Sequence, residues 1–223
     1  MIYGAEIPSY KTLGEMVDAA KIKPTDYNWL ISEQNVFIRR GEEDIFDEKY
    51  TWFTGEEFAS MIKNDGYYFI WCVASAFPRS VSLDEILEYG LPYANGNGGF
   101  WVNDVRLQTP LSKIELVIFD GCECFILTDD VRHRDNFLAA FPEAFDLVED
   151  NRINNARIDV IRSIIGNSII EAQWEKPEWK VYHWIFSGNS VPENMKEIYE
   201  RCRAALGERG LLVKKKGDIY YKI

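Results

Sequence analysis

Along the chain, apolar residues first recur at helical spacing behind three similar polar openings. Thr12 with Glu15, Thr54 with Glu57 and Ser82 with Glu85 each have the form of a capping box, in which a hydroxyl accepts from the amide three residues on and the glutamate reaches back. Behind them come Leu13, Met16 and Val17, then Phe58, Met61 and Ile62, then Leu83, Ile86 and Leu87. Each box therefore predicts a short amphipathic helix that lies on a sheet.

The gaps between these helices read as strands. Ile2 to Ile7 is one, and Tyr27 to Ile31 and Val36 to Arg40 read as a hairpin turning at Glu33-Gln34. Tyr67 to Val73 is almost continuously apolar, as expected of a central strand covered on both faces. Ile114 to Phe119 and Cys122 to Leu127 flank Asp120-Gly121, a pair suited to the positive φ angles of a type I′ turn. A two-residue turn there sets Phe119 opposite Cys122 and Val117 opposite Cys124, with Val117, Phe119, Cys122, Cys124 and Ile126 on one face. Ile114, Leu116, Ile118, Phe125 and Leu127 would then share the other.

Asp129 or Asp130 is placed to cap a helix reaching about Ala140, with Phe137, Leu138 and Phe141 inward. The pattern restarts near Asn155. A helix around Ile158 to Ile165 stops at Gly166, and strands Ser168 to Trp174 and Trp179 to Phe186 are joined through Glu175-Lys176-Pro177-Glu178. Ser190 and Glu193 form a fourth box, opening a helix to Gly207, and Leu211 to Lys214 and Ile219 to Ile223 close the chain as a hairpin around Lys215 to Asp218. The whole predicts an α+β fold, a mixed or antiparallel sheet with helices packed on it, followed by a smaller αββαββ module. The expected division is residues 1–150 and 151–223.

Charge sharpens that division. Residues 1–150 hold 12 Lys/Arg against 27 Asp/Glu, whereas residues 151–223 hold 13 against 9. An acidic first module repels nucleic acid phosphates and attracts basic protein surfaces. With 223 residues, 47% of them hydrophobic, the chain can bury a sizeable core. No run of about 18 apolar residues occurs, and Met1 to Glu6 lacks a basic segment leading into an apolar one, so no membrane association is expected. Cys72, Cys122 and Cys124 fall in apolar strands, which with Cys202 reads as four reduced thiols in a cytoplasm.

Candidate chemistry is sparse. Cys122-x-Cys124 has metal-ligand spacing, but no second pair accompanies it and only His133 and His183 could join it, so buried strand thiols are the better reading. No catalytic, cofactor or metal residue is assigned, and no cofactor is expected. Asn95 to Gly99 is rich in glycine but precedes Phe100-Trp101-Val102, which reads as a strand, and lacks the Lys-Ser/Thr of a phosphate loop. A turn is expected there. Arg201, Arg203 and Arg209 before Lys214-Lys215-Lys216 suggest a winged helix, yet a strand stands where its preceding helix belongs, so nucleic acid is an expected ligand only, if at all, through 201–216.

The stretch that combines acid with aromatic residues is different. Glu42, Glu43, Asp44, Asp47 and Glu48, followed by Trp52 and Phe53, have the composition of a surface that grips a basic protein and excludes water from its centre.

Gly4-Ala5-Glu6-Ile7-Pro8 followed by Asp26-Tyr27-Asn28-Trp29-Leu30-Ile31 resembles the start of an uncharacterised family of small bacterial proteins without assigned function. A similar order of elements runs to about residue 150. The resemblance implies a bacterial cytoplasmic origin and a discrete first module, and transfers no site residue. The functional expectation is a non-enzymatic acidic interaction protein, of inhibitor or immunity type and bacterial or phage origin, with a basic protein partner. The alternatives are a hydrolase-like enzyme with carboxylates in a cleft between the modules, and nucleic-acid binding by the basic module.

Overall fold

The computed structural model describes residues 1–165, 169–175, 180–186, 195–211, 213–216 and 219–222, and the chain divides into two compact units, Met1–Val148 and Glu149–Ile223. The first is built on a seven-stranded sheet of β1 (Tyr3–Ile7), β2 (Tyr27–Ile38), β3 (Tyr50–Phe53), β4 (Tyr67–Pro78), β5 (Ile114–Phe119), β6 (Glu123–Thr128) and β7 (Phe145–Asp146). In space they run β3-β2-β4-β5-β6-β1-β7. Every pairing in this sheet is antiparallel, so the fold is α+β with no parallel strands in the sheet.

All three capping boxes are formed, opening α1 (Leu13–Ala19), α2 (Gly55–Met61) and α3 (Leu83–Leu87). Asp130 caps α4 (Val131–Ala140) by accepting from the Arg132 amide. One sheet face carries Trp29, Ile31, Cys72, Ala74, Leu116, Ile118, Cys124 and Ile126, and α1, α2 and α4 cover it with Met16, Phe58 and Phe137. The opposite face carries Leu30, Val73, Phe77, Val117, Phe125 and Leu127, roofed by Ile86 of α3 and by Ala94, Phe100, Val105 and Leu147. Cover on both faces is why β4 and β5 read as unbroken apolar runs.

Three local expectations are corrected. The polar stretch at Glu33-Gln34 does not turn the chain back: β2 continues through it, and both halves pair with β4, with register shifts on either side of Asn35. Glu33 takes the positive φ of 49°, which suits a bulge as well as a turn. The β5–β6 hairpin does turn at Asp120 and Gly121, both at positive φ, but its ladder closes at Phe119↔Glu123 and so leaves Cys122 in the connection. That one-residue shift exchanges faces. Ile118 now stands opposite Cys124 and Val117 opposite Phe125. Finally, Gly98–Trp101 is a 3-10 turn rather than the start of a strand, and it inserts Phe100 into the core.

Two carboxyls, one half-buried and one fully buried, hold the long segment between α3 and β5. Glu33 Oε2 accepts from the amides of Ala94 and of Asn95, the latter at 2.9 Å. Glu115 is fully buried, and its Oε1 accepts from the Gln108 amide at 2.8 Å, the Thr109 amide at 3.3 Å and the Ser112 hydroxyl at 3.2 Å. Among the described residues its Oε2 has no partner, and neither has the Oγ of Ser75, the residue directly across the ladder. Burial raises the Glu115 carboxyl from the ordinary 4.5 to about 7, against the three hydrogen bonds that pull it down.

The second unit has the order α5 (Leu147–Ile165), β8 (Ile169–Glu175), β9 (Lys180–Phe186), α6 (Met195–Glu208), β10 (Val213–Lys216) and β11 (Ile219–Lys222). Helix α5 begins at Leu147, well before the expected helix, and just ahead of the division between units. β8 pairs with β9 and β10 with β11, both antiparallel. Lys214, Lys215 and Lys216 lie in β10 instead of at a hairpin tip. Gly166, the connection 176–178 and the box of Ser190 and Glu193 lie outside the described residues.

Two predictions follow from this packing. Gly55 opens α2 against the turn Pro24–Asp26, and a Cβ there would stand 2.5 Å from the Tyr27 carbonyl oxygen and 2.6 Å from that of Pro24. Gly55→Ala is expected to cost about 1–3 kcal/mol, read as a lowered urea midpoint at unchanged m-value. For Glu115, the folded protein retains a proton that the unfolded chain gives up near 4.5, so this group's contribution to stability falls as pH rises from 4.5 through about 7. Glu115→Gln removes that titration. Its melting temperature should gain on the parent by a few degrees between about pH 5.5 and about pH 8, and an unchanged gap across that range would show that the site does not titrate there.

Candidate partner-binding surface

The connection from β2 to β3, residues 39–49, is a polar loop with an apolar hinge. Ile45 and Phe46 turn inward, and the Phe46 ring meets Tyr67 at 5.1 Å, Phe69 at 5.4 Å and Phe53 at 6.5 Å, each edge to face. With those two residues drawn in, Glu42, Glu43, Asp44, Asp47 and Glu48 are left exposed.

Hydrogen bonds fix this arrangement from both sides. Tyr67 Oη donates to the Glu43 carbonyl at 2.9 Å, Asn64 Nδ2 to the Glu42 carboxylate at 2.8 Å, and the Phe46 amide to Asp44 Oδ1 at 3.1 Å. The Asp47 amide donates to Thr51 Oγ1 at 3.0 Å, Thr51 Oγ1 donates to Gln34 Oε1 at 2.9 Å, and Gln34 Nε2 returns to the Asp47 carbonyl. The loop is therefore tied to the bulge of β2.

The charge on the loop is uncompensated by ion pairs. Among the described residues none of its five acids is in a salt bridge, and the neighbouring Arg39 is taken up by Asp65 at 3.2 Å. The resulting field reaches the Tyr67 phenol. Burial raises its pKa, and the negative charges of Glu42, Glu43 and Asp44 raise it further.

The two aromatic candidates are separated by the pleat. Phe53 is only 7% exposed and belongs to the core under α2, while Trp52 is half-buried on the other face, against Phe77. The expectation that Trp52 and Phe53 are both exposed beside the acids is thus corrected at Phe53. Beside the loop lies an open hollow of about 510 Å³ instead. Ile45, Phe53, Met61 and Tyr67 line it with apolar surface, and Glu57, Ser60 and Asn64 of the α2 side line it with polar groups.

Exposed aromatics do occur just before the glycine-rich turn at Asn95 to Gly99, in a stretch for which the sequence predicts no element. Tyr89, Leu91 and Tyr93 are exposed, Tyr89 by 53% and Tyr93 by 50%. Their backbone is held by Ser32 Oγ on the Pro92 carbonyl at 2.7 Å, by the Tyr93 amide on Gln108 Oε1 at 3.0 Å and by the Glu33 carboxylate. The available signal was the exposed spacing Tyr89-x-Leu91-Pro92-Tyr93 in a long irregular segment.

The remaining candidates are dispersed. Cys72 is buried in β4 and burial raises its thiol well above the ordinary range. Cys124 is buried with its Sγ 3.3 Å from the Lys11 amide, and burial raises it to about 12, whereas Cys122 is exposed in its connection rather than buried in a strand. His133 Nδ1 lies 2.9 Å from the Ala20 carbonyl oxygen. His183 lies on β9, and Arg201, Arg203 and Arg209 are exposed. Among the described residues no three His, Cys, Asp or Glu side chains are grouped to hold a metal ion, and no helix is long and apolar enough to cross a membrane.

Residues 9–94 match the model of a family described as a protein of unknown function (DUF2691). No curated protein and no solved structure matches the chain. The matched stretch includes Asp26 to Ile31 and every residue of the acidic loop and the hollow, but not β1 or the β5–β6 hairpin that complete the sheet.

Proposed function

We propose that this chain is a non-enzymatic acidic interaction protein, of inhibitor or immunity type, that takes a basic protein partner on the loop 39–49 and the hollow beside it. The observation that carries the reading is the meeting of five exposed acids outside any described ion pair with an open hollow of largely apolar lining. Acids at a rim steer a cationic surface and fix its register, while apolar area at the centre supplies the water-excluding contact. Anchoring by Phe46 and by the Gln34–Thr51–Asp47 bonds supports it further, since a loop already held in place loses little entropy on binding. We place the protein in a bacterial or phage-derived cytoplasm, a reading supported by buried free thiols on two strands.

The enzymatic alternative receives no such support from the one strongly raised carboxyl in the sheet. Glu115 is sealed from solvent and its hydrogen bonds go to its own neighbouring segment, which is a structural use.

The test is affinity capture with the tagged full-length chain from its host's lysate, washed at low and then at high salt, with mass spectrometry of what is recovered. A near-stoichiometric basic protein that leaves with salt is expected. The combined variant Glu43→Lys, Asp44→Lys, Asp47→Lys should stay folded, losing about 1 kcal/mol with the Asp44 bond to the Phe46 amide, and bind that protein roughly tenfold or more weakly. Undiminished binding by this variant would remove the loop as the site.

A further inference from the structure

The hollow is lined by Thr51, Trp52 and Phe53, three consecutive residues of β3. In a strand, successive side chains point to opposite faces, and here Phe53 is in the core under α2 while Trp52 packs against Phe77 on the other side. A wall made of both sets is the edge of the strand, where backbone passes between the faces.

β3 is the outermost strand at its end of the sheet, with β2 its only neighbour. It pairs with β2 through Trp29↔Phe53 to Ser32↔Tyr50. On the outer side of such a strand, every second residue turns its N–H and C=O away from the sheet, a ready template for another strand. Natural edges are commonly blunted by inward charges, by lysine or by a covering segment. The loop 39–49 is tied through Asp47 to Gln34 and Thr51, and brings its acids beside this strand.

We propose that a basic extended segment of the partner binds by adding a strand to β3, with its backbone on the Tyr50–Phe53 edge, an apolar side chain in the hollow and its lysines or arginines against Glu43, Asp44, Asp47 and Glu57. This deepens the reading above and rests on it. Charge selects the occupant. An acidic segment, including the edge of a second copy of this acidic unit, would meet five like charges, whereas a basic one gains at every alternate position. Backbone pairing supplies affinity that does not depend on sequence, and the alternation of apolar and basic side chains supplies the choice.

The experiment uses the full-length 15N-labelled chain and short capped peptides that alternate Lys and Val, alternate Glu and Val, or repeat the Lys/Val sequence with every backbone nitrogen methylated. The readouts are amide shifts and hydrogen exchange at Tyr50–Phe53. The Lys/Val peptide is expected to slow exchange of alternate β3 amides by about tenfold, with the Glu/Val and the methylated peptides doing neither. Methylating every nitrogen removes the N–H donors of both peptide edges while keeping charge, and leaves the protein untouched. If the methylated peptide binds as well as its parent, and both are lost in the Glu43→Lys, Asp44→Lys, Asp47→Lys variant, strand addition is overturned while the acidic surface stands. If the Lys/Val peptide leaves β3 unperturbed, or the Glu/Val peptide protects it equally, the proposal is overturned outright.

Discussion

The pairing of β2 with β4, two strands of twelve residues each, is the constraint from which the first unit follows. β4 lies between β2 and β5, and from Cys72 to Phe77 it is buried on both faces, so neither face of that half is left to water. Fully burying side chains such as Trp29, Phe77 and Phe125 is worth roughly 1.5–3 kcal/mol apiece, a gain realised only when something roofs them. On one face the roof is regular, made by α1, α2 and α4. On the other it is α3 and an irregular segment, and irregular backbone over apolar strands needs partners for its amides. Glu33 and Glu115 accept from those amides and Ser32 donates to the Pro92 carbonyl, which is why carboxyls sit against this segment at all.

The bulge in β2 links this core to the surface. β3 follows β2 only as far as Ser32, where the register begins to shift, and the second half of β2 pairs with β4 alone among the sheet strands. That leaves β3 short and leaves a flank for the loop 39–49, whose Phe46 fills the space over Phe69 and Tyr67. The same bulge gives Glu33 its positive φ, and its carboxylate holds Ala94 and Asn95. One irregularity therefore positions the acidic loop beyond one edge and the segment bearing Tyr89, Leu91 and Tyr93 above one face.

Electrostatically the acidic loop is an exposed patch of negative charge on a fixed backbone. Its acids form no ion pair among the described residues, their charge is felt by Tyr67, and their backbone is fixed by short-range hydrogen bonds that do not use the carboxylates of Glu43, Asp47 or Glu48. Charge of this kind costs stability through self-repulsion and returns it when an opposite surface arrives.

What the amino-acid sequence determined by itself was local. The capping boxes at Thr12, Thr54 and Ser82 were legible because both halves of each bond lie within one turn of chain, and the Asp120-Gly121 turn because few residues accept positive φ. The exposure of Glu42 to Asp44 was legible from charge alone. Tertiary structure decided the rest. A polar stretch with a positive-φ residue serves a bulge and a hairpin equally, and at Glu33 the choice fell to the length of β4, which runs beside both halves of β2. Cys122 carries no mark that it belongs to a connection, so the register of β5 and β6, and with it the face of every side chain, was settled by which surfaces α1, α4 and Phe100 come to cover. Alternation tells which residues share a face, but only packing tells which face is roofed. For that reason Phe46 and Phe53 joined the core while their acidic neighbours stayed in water.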